Sequence, residues 1–236
     1  MDGDTQMREN GTTATRDTSV RRNSHRAVGL PLELTRRANR VLRPRDAVGV
    51  YAQPAGEFAR LVVNGVLTRL AHGYAAIVPQ HRIGDTGWRP DVAAAALGIA
   101  QADYGIDKVA LIGVSAARHH GAIPRALAVA TVAVPKQRPA LHTRLGKVLF
   151  AKRDAAALDV EKVTTELGTG WVTTIEQTLL DLSAGIGTGG MPLDSRDLSE
   201  AVRVLGAKAD WNTLAELAER QHKPKALKTA KTIIDA

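Results

Sequence analysis

Residues Gly65–Tyr74, GVLTRLAHGY, decide the reading of the fold. Val66 to Leu70 has the make-up of a short strand, Ala71, His72 and Gly73 supply turn residues, and Tyr74 to Val78 reads as a second strand closed by Pro79. The pattern predicts a β-hairpin. Immediately upstream, Gly65 is suited to end a helix in the left-handed conformation. From Glu57 to Asn64, helical spacing places Phe58, Leu61 and Val62 on one face and leaves Arg60 and Asn64 on the other. Gln53, Pro54, Ala55 and Gly56 interrupt the chain ahead of that helix. Before them, Pro44–Ala52 (PRDAVGVYA) reads as a short helix, because a proline loses nothing at the first helical position. A further helix is predicted over 30–42, where Leu30, Leu34, Ala38 and Val41 recur at helical spacing opposite Arg36, Arg37 and Arg40. Three short helices followed by a hairpin is the order of a winged helix-turn-helix.

Downstream, residues 80–92 (QHRIGDTGWRPDV) contain two glycines and a proline and read as a connecting loop. The chain then divides into three parts. Residues 1–27 are polar, lack periodicity and end in Arg21, Arg22 and Arg26, the composition of a flexible basic arm or of an inert leader. Residues 28–82 carry the winged helix-turn-helix pattern, and residues 91–236 form a second domain. In that domain PDVAAAALGIAQADYG reads as a helix, VALIGV as a buried strand, and SAARHH as a short helix capped by Ser115 and stopped by Gly121. Strands follow at ALAVATVAV and RLGKVLFAKR, and WVTTIEQTLLDLSA runs from a strand end into a helix capped by Thr173 or Thr174. After the glycine-rich GIGTGG, helices are predicted near 195–206, 210–221 and 223–235. The expected class is α+β, with a winged helix-turn-helix followed by a mixed α/β domain and C-terminal helices.

The composition narrows the function. Lys and Arg number 32 against 24 Asp and Glu, a formal net charge of +8 at pH 7, which makes a polyanion such as nucleic acid the first partner to consider. Every basic residue before Lys108 is arginine, whose planar fork suits phosphate oxygens and guanine edges; coding bias would give the same asymmetry. The chain has no cysteine, which excludes disulfides, thiol catalysis and cysteine-ligated metal sites. Residues 1–26 contain no apolar core of a secretory signal, and no later stretch has the length of apolar residues that a membrane helix needs, so a cytoplasmic protein with no membrane partner is expected.

With these segments in order, the chain from about residue 30 to 185 resembles the AbiEi family, antitoxins of type IV abortive-infection systems. The family's wing pattern is met by Gly65, Leu67, Arg69, Leu70 and Gly73, with Tyr74 one place early. A Ser-Ala helix ending in His-Gly is matched by Ser115, Ala116, His120 and Gly121, and a helix ending T-L-L-D-L by Thr178 to Leu182. Arg118 departs from the pattern, standing where the family has an apolar residue, and the second-helix region is shorter than usual. The resemblance implies an antitoxin domain in residues 91–236, repression of the protein's own operon through promoter inverted repeats, and neutralisation of a nucleotidyltransferase-like toxin. It makes Ser115, Arg118, His119 and His120 candidates for toxin contact. A regulator with a ligand-sensing or dimerisation domain is the alternative, and a toxin-modifying phosphotransferase a third, although no kinase signature is present.

For DNA, Gln53, Glu57, Arg60 and Asn64 of the third helix are the side chains expected to reach bases or backbone, and Arg43, Arg45, Arg69 and His72 to hold phosphates. Each is equally readable as a solvated surface residue. Glu57 needs a cytosine amine opposite it or must point away. One such module makes few contacts, so dimers on an inverted repeat are expected. Adjacent His119 and His120 point to different helix faces, poor geometry for a metal, and no metal or cofactor is expected. GIGTGG follows a helix and lacks a lysine, so it reads as a connector rather than a phosphate loop. Asp181, Asp194 and Asp197 are weighed for magnesium against helix-start roles, and Lys225, Lys228 and Lys231 form a basic helix stripe or a solvated face. No nucleophile, base and orienting group come together.

Overall fold

The computed structural model describes residues 29–191 and 195–236, so the arm expected over 1–27 and Asp194 lie outside the described residues. The first sheet has three antiparallel strands, β1 (Val41–Leu42), β2 (Leu67–Ala71) and β3 (Tyr74–Ile77), in the order β1-β3-β2. Its side chains alternate between two apolar surroundings. Leu42, Leu67, Ala75 and Ile77 pack against Leu34 of helix α1 (Leu32–Thr35) and against Phe58 and Leu61 of α2 (Pro54–Val63). Val41, Leu70, Ala76 and Val78 face the other way, into the largest core of the molecule. A strand buried on both faces loses the polar alternation that would identify it in a sequence.

That is the reason the helix expected over 30–42 is wrong beyond Thr35. Val41 and Leu42 are consecutive buried residues of a strand whose neighbours take its backbone bonds: Ile77 N–H donates to the Arg40 carbonyl and Arg40 N–H to that of Leu167, each at 2.9 Å. The helix expected over 44–52 shortens to a single 3-10 turn at Pro44–Ala47, and Val48 beyond it is 68% exposed. Pro54 opens α2 rather than preceding it, filling the first position where no N–H is needed. The hairpin is present, with β2 and β3 joined by His72 and Gly73. Gly65 takes φ +65 at the end of α2, and a Cβ there would lie 2.8 Å from the Gly84 backbone, so only glycine fits.

Helix α3 (Val92–Tyr104) joins the two halves of the fold. Ala94, Ala95, Ala96, Leu97, Gly98, Ile99 and Ala100 are all buried, as expected of a helix apolar on every side. Its small side chains let it lie between the first sheet and a second one. A Cβ at Gly98 would come 2.4 Å from Val41 Cγ2, so β1 rests directly on the helix backbone. The loop between the hairpin and α3 thus separates two segments that share one core.

The second sheet has six strands in the order β6-β7-β5-β4-β9-β8. They are β4 (Ala110–Leu111), β5 (Val129–Val134), β6 (Leu141–His142), β7 (Lys147–Lys152), β8 (Val160–Thr165) and β9 (Gly168–Thr173). β4 runs parallel to β9 and β5 parallel to β7, and the other pairs are antiparallel. Ala130, Val132 and Val134 of β5 join the core around α3, while Ala133 points to the opposite face. Helices α4 (Val114–His119) and α5 (Ile175–Ser183) pack with α6 (Arg196–Gly206), α7 (Trp211–Arg220) and α8 (Pro224–Asp235) in a separate helical cluster. Leu179, Leu180, Leu198, Val202, Leu205, Leu214 and Leu217 form the core of that helical layer. Thr174, Ser195 and Asp210 cap α5, α6 and α7 through their side chains.

Several expectations shift here. β4 is shorter than VALIGV because Gly113, at φ +57, turns the chain so that Val114 N–H reaches the Gly187 carbonyl at 2.9 Å. A Cβ on Gly113 would sit 2.2 Å from that oxygen, so the glycine-rich connector over 185–190 is packed at Gly187 against the end of β4. Strand β8 has no counterpart in the sequence reading, being an edge strand rich in polar residues. The class is α+β, with eight helices and two sheets among the described residues. No helix among them is long and apolar enough to cross a membrane.

Candidate nucleic-acid interface

Strand β2 presents Arg69 to solvent between buried Thr68 and Leu70, and His72 is exposed at the hairpin tip. Arg45 extends from the 3-10 turn Pro44–Ala47, its side chain 68% exposed. These three side chains meet around the hairpin. Arg45 and His72 line one hollow, and Arg69 and His72 line a second of about 250 Å³ whose other wall is Ala55, Phe58 and Val62 of α2. Residues 29–78 carry seven arginines against three carboxylates, so this short unit holds half of the chain's surplus positive charge.

The remaining predicted contacts lie apart. Gln53 is exposed ahead of α2, and Gln53, Glu57 and Arg60 line another hollow with Tyr51. Arg60 Nε donates to Glu57 Oε2 at 2.9 Å, which places the carboxylate against its own helix. Burial, followed by the nearby Glu57 charge, raises the Tyr51 hydroxyl pKa. Asn64 is half-buried at the C-terminal end of α2.

Arg43 is the clear correction among the phosphate candidates. Its Nε and Nη2 donate to Asp46 at 2.9 and 2.7 Å, and its Nη1 to Asp103 at 2.7 Å, leaving the side chain 16% exposed. The fork is consumed inside the fold. Asp103, on α3, also accepts from Tyr74 Oη at 2.7 Å, from Arg45 at 3.2 Å and from Arg138, whose guanidinium lies 4.1 Å over the Phe150 ring. Burial pushes the Asp103 carboxyl up, but the bonds from Tyr74, Arg43 and Arg138 outweigh it and hold the pKa below the usual value. Asp46 is lowered in the same way, burial being offset by Arg43. The Arg43–Asp46 spacing was legible as an i,i+3 pair, whereas Asp103 and Arg138 carried no such signal.

The family-derived candidates separate as well. Ser115 is not a cap and not a surface residue: it is 4% exposed, and its Oγ accepts from Thr131 N–H at 2.8 Å. Arg118 donates to Asp91 Oδ2 at 2.9 Å, so its charge is paired. His119 is exposed at the end of α4, with its pKa lowered first by partial burial and then by the neighbouring His120. The His120 side chain is 6% exposed, with Nε2 at 2.7 Å from the Thr173 carbonyl oxygen. Glu161 of β8 stands beside the pair, a residue that the sequence reading did not single out.

The acidic candidates resolve differently. Asp181 has no exposed side-chain surface and accepts from Arg153, from Lys223 at 2.9 Å and from Gln177 at 2.9 Å, so its charge is matched by protein cations and not by magnesium. Asp197, in the first turn of α6, pairs with Arg125. Lys225, Lys228 and Lys231 are exposed along α8. Compared with family models and with curated proteins, the chain matches none.

Proposed function

We propose that the protein is a cytoplasmic, winged helix-turn-helix DNA-binding repressor that also acts as an antitoxin. The observation that carries DNA binding is the gathering of exposed Arg45, Arg69 and His72 around the β2–β3 hairpin, on the unit with the largest charge surplus. A helical turn, a helix and a hairpin in succession support α2 as the element entering the major groove and the hairpin as the wing gripping phosphates. Gln53 and Arg60, in a separate hollow around the start of α2, add further contacts from that helix. Dimers on promoter inverted repeats supply the contacts that one small module lacks.

The toxin-neutralising role rests on the AbiEi resemblance, and its partner is a nucleotidyltransferase-like toxin. Of the resemblance-derived contacts, His119 is the one whose side chain is exposed and free of an ion pair among the described residues. DNA binding is tested by fluorescence anisotropy of the promoter fragment across a salt series. Replacing Arg45 and Arg69 together by Ala is expected to weaken binding and to flatten the log–log salt slope by about 0.9 per lost phosphate contact. An unchanged slope would sink the placement of α2 and the hairpin. Co-expression with the product of the neighbouring gene tests the antitoxin role; growth that is not restored leaves a repressor alone.

A further inference from the structure

We propose that His119, His120 and Glu161 form a Zn²⁺ site on the surface of the second domain, with its remaining coordination position open. The adjacent histidines are not spread around a continuous helix. Helix α4 ends at His119, and His120 N–H, Gly121 N–H and Ala122 N–H close back on Ala116, Arg118 and Ala117 at 2.9, 3.0 and 2.8 Å. The last two of these bonds form a Schellman motif. The two imidazoles there have centroids 5.1 Å apart and planes at 70°. Lys208 Nζ donates to the His120 carbonyl at 2.8 Å and holds the bend.

The tautomer of His120 follows from its partner. A carbonyl oxygen only accepts, so Nε2 bears the hydrogen that meets Thr173 O at 2.7 Å. In the neutral ring the lone pair is then on Nδ1, and Nδ1 faces the Glu161 carboxylate at 4.0 Å. A backbone carbonyl holding one ring nitrogen while the other is presented outward is the support that metal-ligating histidines use. Two lone-pair donors facing each other at 4.0 Å, too wide for a direct hydrogen bond, leave a place where a cation can bind between them.

One nitrogen from each histidine and one Glu161 oxygen all lie within 4.8 Å of one another. A tetrahedral ion with bonds of about 2.1 Å needs its ligands about 3.4 Å apart. The His120–Glu161 pair must close by about 0.6 Å and the widest pair by up to about 1.4 Å around such a centre, movements open to exposed His119 and to half-exposed Glu161 at an edge strand. Two imidazoles and a carboxylate form a borderline donor set, which favours Zn²⁺ over magnesium or calcium. The bound ion would pin β8 to α4 and leave one position for water or for a donor from a partner.

The test is titration of the untagged full-length chain with Zn²⁺ by calorimetry, with Co²⁺ absorption as a check on geometry. The expected result is uptake of about one ion per chain and a tetrahedral Co²⁺ spectrum. His119→Ala and Glu161→Gln, both at exposed positions, are each expected to weaken binding by about tenfold or more while the apo-protein melting temperature stays constant. His72→Ala and His222→Ala are expected to leave it unchanged. No uptake, or uptake undiminished in His119→Ala and Glu161→Gln, overturns the proposal.

Discussion

Asp103 and Asp181 are both carboxylates that draw cations from distant parts of the chain, but they differ in what surrounds the cations. Asp181 sits in the helical layer, fully buried, with Arg153 and Lys223 brought from 28 and 42 residues away. Those two cations, 17% and 19% exposed, have no other carboxylate among the described residues. Asp103 lies at the seam between the first sheet and α3, 12% exposed, and each of its donors has some support of its own. Arg43 keeps Asp46, Arg138 keeps the face of Phe150, and Arg45 is mostly in water. One node has a single buried carboxylate for both of its cations. The other is shared and open at its rim, beside the surface proposed to meet DNA.

This contrast predicts a graded series. Asp181→Ala strands two poorly solvated cations, and a loss of about 3–5 kcal/mol in urea unfolding is expected. A loss under about 1 kcal/mol would erase the distinction between the nodes. Asp103→Asn keeps the shape and strands less charge, so about 1–3 kcal/mol is expected. If it costs as much as Asp181→Ala, the back-up bonds around Arg43 and Arg138 are without effect.

The smallest effect is in the pH dependence. Because the folded-state pKa values of Asp103 and Asp46 lie below their unfolded ones, the unfolded chain binds more protons in that interval and stability rises with pH. The contribution is complete above the unfolded value, near pH 4, and is lost as pH falls through the folded ones. Each group accounts for at most about 1.4 kcal/mol per pH unit. Unfolding followed below pH ~4 should show a shallower acid slope in Asp103→Asn than in the unaltered protein, and equal slopes would remove Asp103 from the acid response.

The hairpin and the C-terminal helices were legible because their signals are local. Gly65 and Gly73 mark φ values of +65 and +79, and Thr174, Ser195 and Asp210 cap helices at the positions their chemistry suggests. Val41 and Leu42 were misread because a strand covered on both faces has the same apolar run as a helix face. Arg43 and Arg45 looked alike as phosphate ligands; only their neighbours distinguish them, since Asp103 comes from 60 residues away in sequence. Adjacent His119 and His120 lack the i,i+4 spacing by which a sequence announces a metal site, and Glu161 beside them comes from a strand about 40 residues away.

By itself the sequence determined that the chain is a basic, cysteine-free α+β protein with a hairpin at 65–78 and helices at its C-terminal end. These properties rest on composition, on local backbone preference and on caps, all set within a few residues. Tertiary structure alone decided which charges are spent and which are free, that α3 is the common core of two sheets, and that Glu161 stands beside two histidines. Burial and pairing depend on segments separated by tens of residues, and no local pattern encodes which of them meet.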